Sequence, residues 1–174
     1  MKLITPKYLT KEDAEKAVRA VLEVVIGTRS SLRPLLKRVQ CHIVVLVPGM
    51  KDDREADYPD WPNYPLQAVS LHEESIGKDE GWEHPYDNIA RCKALQLWTD
   101  RNDDRAMSIP HLLFSGDTPF WGGVKRCGIV VTCSGVQSWF DKMISGMIAD
   151  VIVGLAHNAY ENDEDRKAGA DFLS

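Results

Sequence analysis

The chain has no excess of basic residues, no long apolar run and no closely spaced cysteine pair. Among its 174 residues, 21 Lys and Arg stand against 26 Asp and Glu, for a net charge of −5. That balance argues against nucleic acid or an anionic membrane as the main partner, because both call for a basic surface. The densest basic cluster, Arg33, Lys37 and Arg38, is too small for a phosphate track. No apolar stretch approaches the roughly 20 residues that cross a bilayer. Met1-Lys2-Leu3-Ile4-Thr5-Pro6 lacks the apolar core of a signal peptide, so a cytoplasmic location is the expectation. Cys41, Cys92, Cys127 and Cys133 show neither zinc-ribbon nor dithiol spacing, and reduced structural thiols are expected. His72-Glu73-Glu74 lacks the second histidine of a zinc-protease helix, and no metal site is expected. A phosphate loop is missing, and Ser134 lacks the flanking pattern of a hydrolase elbow.

What is present describes an ordinary globular chain, 44% apolar and 27% charged, of a length that suits one domain over residues 1–174. Thr10 is a plausible helix N-cap, with Asp13 at the third helical position, where a carboxylate favours the positive helix end. Ala14, Ala17, Val18, Val21, Leu22 and Val25 follow at helical spacing, and Gly27 stops the helix. Residues 41–47 form a short β-branched apolar run, which reads as a strand covered on both faces. Between Pro48 and Pro65 a charge run precedes alternating aromatics and prolines. This segment reads as an inserted surface loop or as an ordered arm presenting Tyr58, Trp61 and Tyr64. Residues 66–71 alternate as a half-exposed strand. A helix opens at Pro85 and runs through Trp98. Residues 112–114, 121–125 and 129–133 give further short strands. A long helix from about Ser138 carries a broad apolar face, and an acidic, frayed tail follows from residue 161. Neighbouring strands can pair antiparallel while the helices need sheet faces to bury them, so an α/β (α+β) sandwich around an antiparallel sheet is expected.

Chemistry concentrates around Gly116-Asp117-Thr118-Pro119-Phe120-Trp121-Gly122-Gly123. Trp121 beside the bare backbone of Gly122 and Gly123 makes either a slot for a planar ligand or a core strand start. Asp117 is a candidate acid/base or the anchor of an Asx-type turn. His84 and His111 stand at element ends and are candidates for iron ligation or proton transfer, or are exposed loop histidines. Arg91 and Lys93 on the middle helix suit a ligand carboxylate, or are solvated helix-face charges. His42, inside an apolar strand, reads as a satisfied core or interface histidine.

Three segments together resemble the GlcG/HbpS-like family, the small domain also found at the C-terminus of some cobalamin adenosyltransferases. Tyr8-Leu9-Thr10-Lys11-Glu12-Asp13-Ala14 resembles its opening helix, and Asp87-Asn88-Ile89-Ala90-Arg91-Cys92-Lys93-Ala94 its middle helix. Trp121-Gly122-Gly123-Val124, followed by Val131-Thr132-Cys133-Ser134-Gly135-Val136-Gln137 and Asp141, resembles its closing motif. Here Lys125 replaces the usual proline and the hairpin is shorter. The resemblance implies a profilin-like antiparallel sheet with helices on both faces and an oligomer. It implies a small-molecule-binding function, with heme or another tetrapyrrole as ligand. The alternative is an enzyme performing acid/base chemistry on a small organic metabolite, with His111 or Asp117 as acid/base and Arg91 or Lys93 holding an anion. The aromatic arm and the broad last helix predict a homo-oligomer built from twofold dimers.

Overall fold

The computed structural model describes residues 3–51, 66–102 and 109–174. The proposed aromatic arm, with Tyr58, Trp61 and Tyr64, lies outside the described residues.

After a short strand β1 (Leu3–Ile4), helix α1 (Lys11–Ile26) begins where the Thr10 hydroxyl accepts the Asp13 N–H at 3.0 Å. It ends where the Gly27 N–H reaches the Leu22 carbonyl at 3.1 Å. Its buried face is the apolar stripe expected from the sequence, Ala14 through Ile26. Strand β2 (Cys41–Lys51) is the centre of an antiparallel five-stranded sheet. It pairs with β3 (Gln67–Ile76) on one side and with β5 (Ile129–Ser134) on the other, while β4 (Gly123–Arg126) pairs with β5. β1 joins the C-terminal end of β2, Ile4 opposite Met50.

Alternation along β2 divides the protein into layers. Cys41, Ile43, Val45 and Val47 face α1 and helix α3 (Ser138–Asn162), in one core. Val44, with Val130 of β5, faces helix α2 (Tyr86–Trp98), packing on Ala90, Ala94 and Leu97. Helices therefore cover both sheet faces, which is why β2 reads as continuously apolar.

Four expectations need correction. The strand expected over 41–47 continues through Pro48 to Lys51, where β1 and the start of β3 supply ladder partners, so the first four residues of the expected insertion are strand. The strand expected at 66–71 runs on to Ile76. A bulge sets Val45 opposite His72 but Leu46 opposite Ser70, leaving Leu71 as the extra residue. The extra residue resets the two-residue alternation, so Ile76 packs on the same core as Val69 and Leu71. Residues 112–114 are not a strand. Pro110–Leu112 is a 3-10 turn, and the Asp117 carboxylate takes the Phe114 N–H at 2.8 Å instead of a ladder partner. The acidic tail is a short helix α4 (Glu164–Ala168), held to the N-terminal segment by Lys7 at 2.9 Å from Asp163 and 3.3 Å from Asp165. Among the described residues no helix is long and apolar enough to cross a membrane.

The hairpin between β4 and β5 is as short as hairpins become. Cys127 (φ 49°) and Gly128 (φ 78°) form a two-residue turn of the kind that matches strand twist.

Candidate functional site

At the C-terminal end of β5 the chain leaves the sheet through Gly135 and enters α3, and there the two helix layers meet. Lys93 lies on the buried stripe of α2 beside Ala90, Ala94 and Leu97, 1% exposed. Its ammonium donates to the Cys133 carbonyl at 2.9 Å and to Asp141 Oδ2, on α3, at 3.2 Å. Asp141 is 4% exposed and its other oxygen accepts the Val136 N–H at 3.1 Å. This ion pair connects helices on opposite faces of the sheet around the strand end.

Two glycines of the closing motif make room for it. A Cβ on Gly122 (φ 120°) would stand 2.6 Å from Asp141 Cβ and 2.8 Å from the Ser138 carbonyl. One on Gly135 (φ 133°) would stand 2.4 Å from the Gln40 carbonyl. The space beside Gly122 and Gly123 is thus filled by protein, by α3 in the first case and by Thr132 and Leu97 in the second. Of the two readings of these glycines, the structure packs protein against their bare backbone.

An open cleft of about 180 Å³ lies just beyond, lined by Lys93, Asp141, Tyr86, Arg38, His84 and Phe120 and by residues 134–138. Arg38 is fixed there by donating to the Gly135 and Val136 carbonyls at 3.3 and 3.2 Å and to Glu83 at 3.2 Å. Gln137, at the N-cap of α3, does not cap the helix. Its side chain accepts the Lys37 N–H at 2.8 Å and donates to the Leu35 carbonyl, steadying the loop that carries Arg38. Tyr86 is 3% exposed, with its ring 5.4 Å from Trp82, and its hydroxyl has no hydrogen-bond partner. Burial pushes the Asp141 carboxyl above the ordinary carboxylate range. Lys93 and the Val136 N–H oppose that push without cancelling it.

Of the residues singled out in the sequence, Lys93 and His84 line this cleft and Gly122 stands directly behind Asp141. The others are elsewhere. Asp117 is paired with Arg101, which holds its carboxyl below the ordinary range, and it anchors the turn through the Phe114 N–H. His111 is exposed on the 3-10 turn. Trp121 is half-buried and does not line the cleft. Arg91 reaches Glu73 of β3 at 2.8 Å. Glu73 also accepts from His42 Nε2 at 3.2 Å, and the Ser75 hydroxyl meets His42 Nδ1 at 2.8 Å. Burial lowers the pKa of His42, so the neutral ring, protonated on Nε2, satisfies both partners. His42 is the satisfied histidine that the apolar strand suggested, bracing β2, β3 and α2.

Asp141, Tyr86 and Arg38 were not put forward as site residues on sequence. For Asp141 a signal exists: it falls on the stripe of Ile144 and Ile148, as Lys93 falls on that of Ala90 and Ala94. Opposite charges placed inside two apolar stripes are the mark of a buried pair. Nothing in the sequence distinguishes Tyr86 from any other first-turn tyrosine.

A larger groove of about 300 Å³ runs between Leu9, Ile129, Val153 and Tyr160, but its walls are mainly apolar and hold no charged pair. Among the described residues no group of three His, Cys, Asp or Glu is placed to hold a metal ion. A tetrapyrrole fits the cleft poorly, since about 180 Å³ is below the roughly 300–1,000 Å³ of sites that enclose drug-sized ligands. His84 is the one histidine among its lining residues.

No protein-family model matches the chain, and no curated protein or solved structure matches it.

Proposed function

We propose that the protein binds a small organic molecule in the cleft at the start of α3, with the Lys93–Asp141 pair as its floor. The observation that carries this reading is the convergence of Lys93, Arg38, Asp141 and Tyr86, whose buried hydroxyl has no partner, in the lining of one concave site. Ligand sites characteristically set a few fixed polar groups in an otherwise apolar wall. Segments resembling the GlcG/HbpS-like family meet there too: Lys93 from the middle helix, and Gly122, Ser134, Gly135 and Asp141 from the closing motif. Within that family's repertoire the size of the cleft favours a small metabolite over heme. Titrating small organic fragments and, separately, hemin into isotope-labelled protein tests this. Fragments are expected to shift the amides of residues 134–138. No shift by any fragment removes the cleft as the site. A stoichiometric Soret shift that is lost in His84→Ala and kept in His111→Ala restores heme as the ligand.

A second reading makes the site catalytic. A carboxyl whose affinity for protons is raised by burial, next to a ligand cleft, has the character of a general acid. Asp141 takes that role in place of Asp117, whose carboxyl is held ionised by Arg101.

We also propose a homo-oligomer. Trp139 is 60% exposed, Phe120 54% and Phe114 70%, large apolar surfaces of the kind found at interfaces. Light scattering is expected to return at least a dimer; a monomer at high micromolar concentration rejects the assembly.

A further inference from the structure

We propose that the cleft takes a carboxylate with a compact apolar body, its head group received by the Tyr86 hydroxyl and the first turn of α3. This rests on the reading of the cleft as the ligand site and adds the ligand's chemical class.

Two independent features define the head-group position. Helix α3 is 25 residues long and starts without a side-chain cap, because Gln137 is turned away to hold Lys37 and Leu35. The positive end of α3 therefore lies at the cleft, whose lining includes Gln137 and Ser138. The Tyr86 hydroxyl is the second feature. It is buried, lacks a partner and belongs to a residue lining the same cleft. A buried hydroxyl left without an acceptor is destabilising, and a carboxylate oxygen supplies what it lacks.

Formal charge is balanced at the site. The lining holds two fixed cations, Arg38 and Lys93, against one carboxylate, Asp141, with His84 at the rim. Asp141 is occupied by Lys93 and the Val136 N–H, so its charge is answered from the protein side. Glu83 answers Arg38 only through Nε, while Nη1 holds the two carbonyls. With Glu83 beside Arg38 the formal charges balance, two cations against two carboxylates, and what remains for an anion is the positive end of α3, which has no side-chain cap. The apolar body follows from Phe120 and Ile89 in the lining, with exposed Trp139 one residue beyond Ser138. The cleft volume of about 180 Å³ keeps that body small.

Benzoate and its neutral isostere benzamide are suitable probes, titrated into labelled wild-type and Tyr86→Phe protein and followed by amide shifts. Benzoate is expected to move the amides of Ser138, Trp139 and Phe140 saturably and to bind about tenfold more tightly than benzamide. Tyr86→Phe is expected to weaken benzoate about tenfold while raising the thermal midpoint of the free protein, since it removes an unsatisfied hydroxyl. A merely structural tyrosine does not give that opposition of affinity and stability. Benzamide binding as tightly as benzoate overturns the carboxylate while leaving the cleft a ligand site. Benzoate that leaves the α3 amides unmoved, or that binds Tyr86→Phe like wild type, also overturns the proposal. The general fragment titration still decides the site itself.

Discussion

Replacing Lys93 with methionine is expected to destabilise the protein by about 3–5 kcal/mol, because it leaves the Asp141 carboxylate buried without its counter-charge. Against a total stability of about 5–15 kcal/mol, this is a large fraction. The loss falls on the ion pair and on the Cys133 carbonyl, which also gives up its donor. Adding Asp141→Asn should recover much of it: the amide oxygen still accepts the Val136 N–H, and no buried charge remains. The pH dependence carries a further signature. In the folded protein burial already pushes the Asp141 carboxyl above its ordinary value of 3.8. Losing Lys93 removes the main influence opposing that rise. A carboxyl raised in this way stabilises the fold fully below 3.8 and loses that contribution as pH climbs through its folded pKa. The Lys93→Met variant should therefore come closest to wild type in mild acid and fall furthest behind at neutral pH. Urea unfolding of the two proteins at several pH values measures it. A deficit that is constant with pH, or one that Asp141→Asn fails to reduce, shows that the pair is not what holds these layers together.

The same pair explains how much of this protein could be read from its residues. Helix α1 was legible in full, since its cap, its stripe and its terminating glycine all act within a few residues of one another. β2 was legible as a strand covered on both faces because α2 and α3 cover it from opposite sides. The far half of β3 was not. His72, Glu73, Glu74 and Ser75 carry no apolar alternation, and their polar side chains are accommodated by His42, Arg91 and one another. The bulge at Leu71 hides the alternation that continues to Ile76. The 3-10 turn at Pro110–Leu112 was missed for a similar reason, as its apolar residues mimic a strand while Asp117 and Arg101 set the local path.

The candidate site was half legible. In the sequence Lys93 and His84 are one choice among several histidines and cations; what selects them is their meeting with residues 134–138 at the end of β5, a tertiary fact. The tandem glycines read equally as a ligand slot or as a packed strand start, and only the fold decides between them. Their missing Cβ atoms admit α3, Thr132 and Leu97. Tyr86 becomes informative only through its missing partner, which composition and spacing do not encode.

Gly135→Ala is expected to be the most damaging single-methyl addition near the site, at about 4 kcal/mol and a drop in thermal midpoint of about 10 °C. Two effects add. The backbone there has φ 133°, a conformation L side chains rarely adopt. The new Cβ would also stand 2.4 Å from the Gln40 carbonyl and 2.9 Å from Cys41 Cα, which are backbone atoms at the start of the central strand and cannot swing aside. Relief requires moving β2 away from the 134–138 turn. That displaces the Gly135 and Val136 carbonyls from the Arg38 guanidinium and loosens the cleft along with the fold. Gly154→Ala is the matched control. Gly154 lies within α3, an added Cβ there meets nothing within 4 Å, and alanine is the better helix former by about 1 kcal/mol. Thermal melts of the two variants should therefore move in opposite directions. A Gly135→Ala protein that melts with wild type would mean that β2 and the α3 entrance do not approach this closely, and the cleft geometry built on that approach would fall with it.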